Sequence, residues 1–146
     1  MLKFLSIVLP VKNEGKNLDF IIPELKKYSE DIIVVDGHSN DKTEEVCRKN
    51  KVKFILDNKL GKGDAQSIGV SEAINEYIIF IDGDGSHDLN DVDKLYYHLI
   101  ENDYDLVVGS RMTGGSLDII SNTSFLGFVR FTGNNFLILL FNLVFK

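Results

Sequence analysis

The sequence is 146 residues long, 44% hydrophobic and 26% charged, which is the composition of one soluble globular domain with room for a core that needs no disulfide or metal staple. Its formal charge of -6 argues against a duplex nucleic acid as partner, because binding by counterion release needs clustered Lys and Arg. A single cysteine, Cys47, excludes an internal disulfide framework and a CxxC zinc site, and points to a reducing, cytoplasmic setting.

Apolar runs alternating with helical patterns predict an α/β protein with a mainly parallel sheet flanked by helices. Residues 4–11 read as a first strand rather than a leader, since the apolar stretch is short, carries only Lys3 and meets no small-residue cleavage site. Leu18, Ile21, Ile22, Leu25 and Tyr28 then share one helical face, in which Pro23 predicts a kink or a late start. A second strand is expected at 31–36, a helix at 41–50 and a third strand at 52–56. Residues 63–74 follow as a helix in which Gly69 lowers propensity but permits close packing. Residues 77–82 form the fourth strand, Val92, Leu95, Tyr96 and Leu99 mark a helix, and 104–109 form a fifth strand. All five runs are too continuous to leave one face in water and are expected as central strands.

Residues 1–124 are expected to make the core, with 125–146 an apolar helical segment of the same domain. Arg130, Thr132, Asn134 and Asn135 interrupt that segment before about 20 apolar residues accumulate, so it is not a standard transmembrane helix. Residues 136–145 are apolar on every side except at Asn142. A helix of that kind must be covered by the domain core, by another chain, by sequence beyond this one or by a membrane surface.

Ligands of open α/β sheets lie beyond the carboxyl ends of the strands. Asp82 and Asp84 stand there after the fourth strand. If the strand continues one step further, residues two apart point the same way and both carboxylates face one site, which suits Mg²⁺ or Mn²⁺ held together with substrate phosphates. The alternative is an acidic turn closing a strand. Asp36 ends the strand beside the first and is either a ligand to a ribose or base or a turn residue, and Asp41 is expected to cap the helix that follows it. Gly61-Lys62-Gly63 is either a turn whose cation touches a diphosphate or a plain loop before a helix. Neither GxGxxG nor GxxxxGK[ST] occurs, which leaves a dehydrogenase and a P-loop ATPase as poor fits, and there is no GxSxG elbow for acyl transfer. His38, His87 and His98 are too scattered for a zinc set, and Cys47 reads as a small core residue rather than a nucleophile.

Together the motifs resemble the inverting family 2 glycosyltransferases of the GT-A fold, and among them the polyprenyl-phosphate sugar transferases of the dolichyl-phosphate mannose synthase type. The segments that carry the resemblance are 7–14 (IVLPVKNE), 34–43 (VVDGHSNDKT), 61–65 (GKGDA), 80–87 (FIDGDGSH) and 105–111 (DLVVGSR), followed by Arg130 and Gly133-Asn134. The resemblance implies transfer of a sugar, with inversion, from a nucleoside-diphosphate sugar such as GDP-mannose or a UDP-sugar to a polyprenyl or dolichyl phosphate. It implies that Pro10, Val11, Asn13, Glu14, Asp36, Lys62, Asp82 and Gly83 hold the nucleotide sugar. Asp82 and Asp84, the family's DXD, would hold Mg²⁺ or Mn²⁺, with Asp84, Arg111 and Arg130 acting at the reacting phosphates. It further implies work at the cytoplasmic face of a membrane. The sequence departs from the family in having Val11 where an aromatic often follows the proline, Asp36-Gly37 in place of an acidic pair, and Asp88-Leu89-Asn90 where prolines are usual. Family members also continue beyond the point at which this sequence stops, Lys146. Transfer to a saccharide hydroxyl and a non-catalytic nucleotide-sugar-binding role are the alternatives.

Overall fold

A computed structural model gives the fold, and the residues it describes are 1–109. Chain order is β1 (Leu5–Val11), α1 (Gly15–Leu25), β2 (Asp31–Asp36), α2 (Thr43–Asn50), β3 (Lys53–Leu56), α3 (Lys62–Glu72), β4 (Tyr77–Phe80) and α4 (Asp91–Glu101). The strands form one parallel sheet in the order β3-β2-β1-β4.

Strand alternation divides the core into two layers. Leu5, Ile7, Leu9 and Val11 of β1, with Ile32 and Val34 of β2, face a cluster completed by Leu18, Ile21, Ile22 and Leu25 of α1, by Val46 and Cys47 of α2, and by Val92 and Tyr96 of α4. Val8, Ile33 and Val35 point the other way, onto Ala65 of α3. Covering both faces is what allows β1 and β2 to be almost wholly apolar. Burying side chains such as Leu18, Ile22 and Leu25 contributes roughly 1.5 to 3 kcal/mol each relative to exposure. Gly69 sits where α3 crosses β1, and a Cβ there would lie 2.2 Å from Val8 Cγ1, so the close packing expected of it is present.

The predicted α1 face is the buried one, with Leu18, Ile21, Ile22 and Leu25 all buried. The late start expected from Pro23 does not occur. The helix begins at Gly15 and Pro23 falls near its end, where a missing N–H interrupts little further helix. Two other expectations are corrected. Among the described residues β3 and β4 lie at the sheet edges and are only partly buried, so within them the expected centrality is seen for β1 and β2. Residues 104–109 do not form a strand, and Tyr104, Leu106 and Val108 are exposed. An apolar run becomes a strand only where a ladder partner receives it, and among the described residues none does. Residues Met1–Val107 make up one compact unit. The expected boundary at 124/125 and the apolar helix at 125–146 lie outside the described residues.

Candidate functional site

Register fixes where the strands deliver their last residues. Val11 stands opposite Asp36, and Asp36 opposite Leu56, so the next residues, Lys12, Gly37 and Asp57, emerge side by side. The Gly37 N–H donates to the Val11 carbonyl (2.8 Å), and the Asp57 N–H donates to the Asp36 carbonyl (3.0 Å), which carries the ladder one step past each strand. The fourth strand ends earlier than expected, at Phe80, and residues 83–84 form a turn. Strand alternation therefore does not set the relation of Asp82 to Asp84, because both lie beyond the end of β4 and the turn at 83–84 separates them. Gly83 in that turn lies against β1, where a Cβ would come within 2.6 Å of Val11 Cγ1.

A cavity of about 620 Å³ opens beyond these strand ends, lined by Pro10, Val11, Lys12, Gly37, His38, Asp57, Lys59, Gly61, Lys62 and Ala65. That volume falls within the range typical of small-molecule sites, roughly 300 to 1,000 Å³. Three lysines line it in a chain of net charge -6, so the cavity favours an anion. His38 Nε2 is 2.9 Å from the Asp57 carbonyl oxygen and 3.5 Å from its Oδ1, which holds the imidazole against the end of β3. Asp64 accepts from the Asn58 N–H (2.8 Å) and side-chain amide (3.0 Å), closing the loop that carries Lys59 and Gly61. Gly61, at φ +96°, makes the turn into α3 in a region that L residues rarely adopt.

Two loops behind the cavity are interlocked. The Asn13 N–H donates to Ser39 Oγ (2.6 Å), and Asn13 Oδ1 accepts from the Asn40 N–H (2.9 Å). Asp41 accepts from the Gly15 N–H with Oδ2 (2.9 Å), and with Oδ1 from the Thr43 N–H (3.0 Å) and hydroxyl (2.5 Å). One carboxylate thus serves the first residue of both α1 and α2. The N-cap position of α2 is Lys42, one residue after the expected Asp41, but the Asp41 carboxylate still serves as a cap by taking the first N–H of α2, and the same group reaches α1 as well. Hydrogen bonding, first from the Thr43 hydroxyl, holds the Asp41 carboxyl below its ordinary pKa.

Asp36 is buried, and its carboxylate accepts from the Ser39 N–H (2.8 Å) and the Ser39 hydroxyl. This is the turn role that the sequence set beside a ligand role. Glu14 accepts from the Asn17 side-chain amide (2.7 Å). Of the residues implied to hold the nucleotide sugar, Pro10, Val11 and Lys62 line the cavity, whereas Asn13, Glu14, Asp36, Asp82 and Gly83 surround it without lining it. Asp82 is tied to the cavity by Lys62, whose Nζ lies 2.5 Å from Oδ1, and His87 Nε2 is 3.5 Å from Oδ2. The Lys62 hydrogen bond, more than His87, lowers the Asp82 pKa. Asp84 Oδ1 accepts from the Ser86 N–H (2.9 Å). Arg111 and Arg130 lie outside the described residues.

Asp57 and Lys59 belong to the cavity, yet no motif drew attention to them. Their sequence signal is their position just after β3, where a strand of an open α/β sheet delivers its residues. Cys47 is buried, and burial, with smaller contributions from Asp36 and Glu44, pushes its thiol up to about 12. That makes it a core residue and not a nucleophile at neutral pH.

The β4 turn offers hard carboxylate oxygens of the kind a divalent metal takes. Among the described residues no group of three or more His, Cys, Asp and Glu side chains forms a metal cage. Two carboxylates completed by substrate phosphates is a common arrangement for Mg²⁺, so Asp82 and Asp84 fit a metal that shares its ligands with a diphosphate.

A parallel sheet flanked by helices, with a cavity beyond its strand ends, is the arrangement of the GT-A fold. The chain belongs to glycosyl transferase family 2, whose model matches residues 6–124. It is 33% identical over 119 residues to glycosyltransferase GlyG of Streptococcus pneumoniae, a match covering 75% of this chain and 40% of that protein. The crystal structure of mannosyl-3-phosphoglycerate synthase from Rubrobacter xylanophilus is similar with a TM-score of 0.56 and 25% identity, over 70% of this chain and 36% of that one. Glucosyl-3-phosphoglycerate synthase from Mycobacterium tuberculosis, solved with Mn²⁺, UDP and glucosyl-3-phosphoglycerate, shares the fold with a TM-score of 0.57 and 20% identity, over 66% of this chain and 39% of that one. The chain spans between 35% and 50% of the length of the curated relatives it matches.

Proposed function

We propose that this chain is the donor-binding part of an inverting glycosyltransferase that takes a sugar from a nucleoside-diphosphate sugar to an acceptor phosphate. The observation that carries the reading is the cavity beyond the strand ends, with Lys12, Lys59 and Lys62 in its wall and Asp82 bonded to one of them. Pro10 and Val11 give the nucleoside an apolar wall, and the lysines hold the diphosphate. Asp82 and Asp84 would hold Mg²⁺ or Mn²⁺, which when bound neutralises charge developing on the leaving diphosphate. Family membership supports this donor chemistry.

The acceptor in this reading is a polyprenyl or dolichyl phosphate. Such a phosphate is already anionic at neutral pH, so attack needs no dedicated general base, and Arg111 and Arg130 supply forks that match phosphate oxygens. The apolar residues 136–145 would seat the protein on the cytoplasmic face of a membrane, or pair two copies of the chain. Among the described residues no helix is long and apolar enough to cross a membrane. A second reading, transfer to a small phosphorylated acid, is favoured by the similarity to mannosyl-3-phosphoglycerate synthase.

Calorimetry with UDP and GDP, each with Mn²⁺ and with EDTA, tests the donor site. Binding of one nucleotide that weakens in EDTA is expected, and equal affinity under both conditions overturns the metal-assisted reading. Labelled UDP-glucose and GDP-mannose offered with polyprenyl phosphate or 3-phosphoglycerate then decide the acceptor. Label in the lipid phase supports the first reading, and label in a water-soluble phosphorylated product supports the second.

A further inference from the structure

Lys62 occupies an unusual place for a cation. It is the first residue of α3, where the positive end of the helix dipole disfavours an ammonium. The carboxylate of Asp82, 2.5 Å from its Nζ, offsets that cost. The residue also lines the cavity, so one amine stands between the anion-favouring pocket and the carboxylate assigned to the metal. Its side chain is 58% exposed and that of Asp82 28% exposed, which makes the pair weak enough to be exchanged. Gly61 and Gly63 flank it with open space where a Cβ would lie, leaving room for the lysine stem to swing.

Resting on the reading of the cavity as a nucleoside-diphosphate site, we propose that Lys62 is a built-in counter-ion that moves from Asp82 to the diphosphate when nucleotide binds. A lysine is a compact point charge on a rotatable stem, and it can neutralise either partner. While it sits on Asp82 it competes with a divalent cation for the same oxygen and repels it. Once a diphosphate enters the cavity, Lys62 gains a more highly charged partner and no longer competes with the metal for the Asp82 oxygen. Metal and nucleotide therefore bind as a coupled pair, and each tightens the other by the same factor. The consequence is a site that holds little metal until its donor arrives.

Mn²⁺ binding to the full chain, followed by the electron paramagnetic resonance signal of free Mn²⁺ with and without UDP or GDP, tests this without any turnover. In the wild type, nucleotide should tighten Mn²⁺ binding. Lys62→Gln should bind Mn²⁺ alone about fivefold more tightly than the wild type, the order expected on removing one partly exposed ion pair. The enhancement by nucleotide should shrink. Lys62→Met should behave like the Gln variant, and Lys62→Arg like the wild type. If nucleotide still binds but Lys62→Gln and Lys62→Met show wild-type Mn²⁺ affinity and enhancement, the exchange is wrong while the donor site stands. A wild-type chain that binds neither UDP nor GDP in Mn²⁺ overturns both.

Discussion

Asp82→Asn is expected to lower sugar transfer by on the order of 100-fold or more, the size seen when an enzyme loses one group that stabilises charge in the transition state. The amide keeps the shape of the carboxylate but removes its charge, so on the proposed reading the divalent cation would lose a ligand and Lys62 its ion-pair partner. Asp84→Asn should have an effect of the same order, because in the proposed site only two protein carboxylates would share the metal. Folding should survive both changes, since Asp82 is partly exposed and Asp84 exposed, in a turn outside the two core layers. The decisive comparison is of transfer rate and Mn²⁺ affinity with the thermal midpoint. A variant that loses activity and midpoint together has been unfolded, and one that keeps both returns the pair to the role of an acidic turn.

The sheet and its helices were legible because the pattern is locally consistent. The continuous apolar runs of β1 and β2 are buried on both faces, and the apolar face of α1 follows the helical period and is buried as that period requires. What misled was the inference from apolar runs to centrality. A run such as 104–109 carries strand propensity, but a strand needs a pairing partner, which periodicity does not specify and which the described residues do not supply. The site was half legible for a related reason. Residues after β1, β2 and β4 stand in recognisable motifs, whereas Asp57 and Lys59 enter the cavity only through the Asp36–Leu56 register, a long-range fact. Asp41 illustrates the same limit. Its cap on α2 is local and could be read, but its bond to Gly15 spans 26 residues and could not.

That double cap leads to the second large effect, in which Asp41→Ala should lower unfolding free energy by about 2 kcal/mol. A helix cap contributes typically about 1 kcal/mol, and this side chain serves the N-termini of both α1 and α2. Asp41→Asn, which keeps one acceptor oxygen, should lose about half as much. The loss should also reach the site, because the loops that Asp41 joins include Asn13 and Ser39, so nucleotide affinity is expected to fall in the Ala variant even where the protein remains folded. A pH series separates this from a generic loss of packing. The folded pKa of Asp41 is depressed, so its contribution is whole above the unfolded carboxylate value of about 3.9 and is lost as pH falls through the lower folded value. Urea midpoints of wild type and Asp41→Ala should therefore stay a constant distance apart from pH 7 to about pH 5 and converge below about pH 4. A gap that persists undiminished in acid would show that the carboxylate is not what joins the two helices.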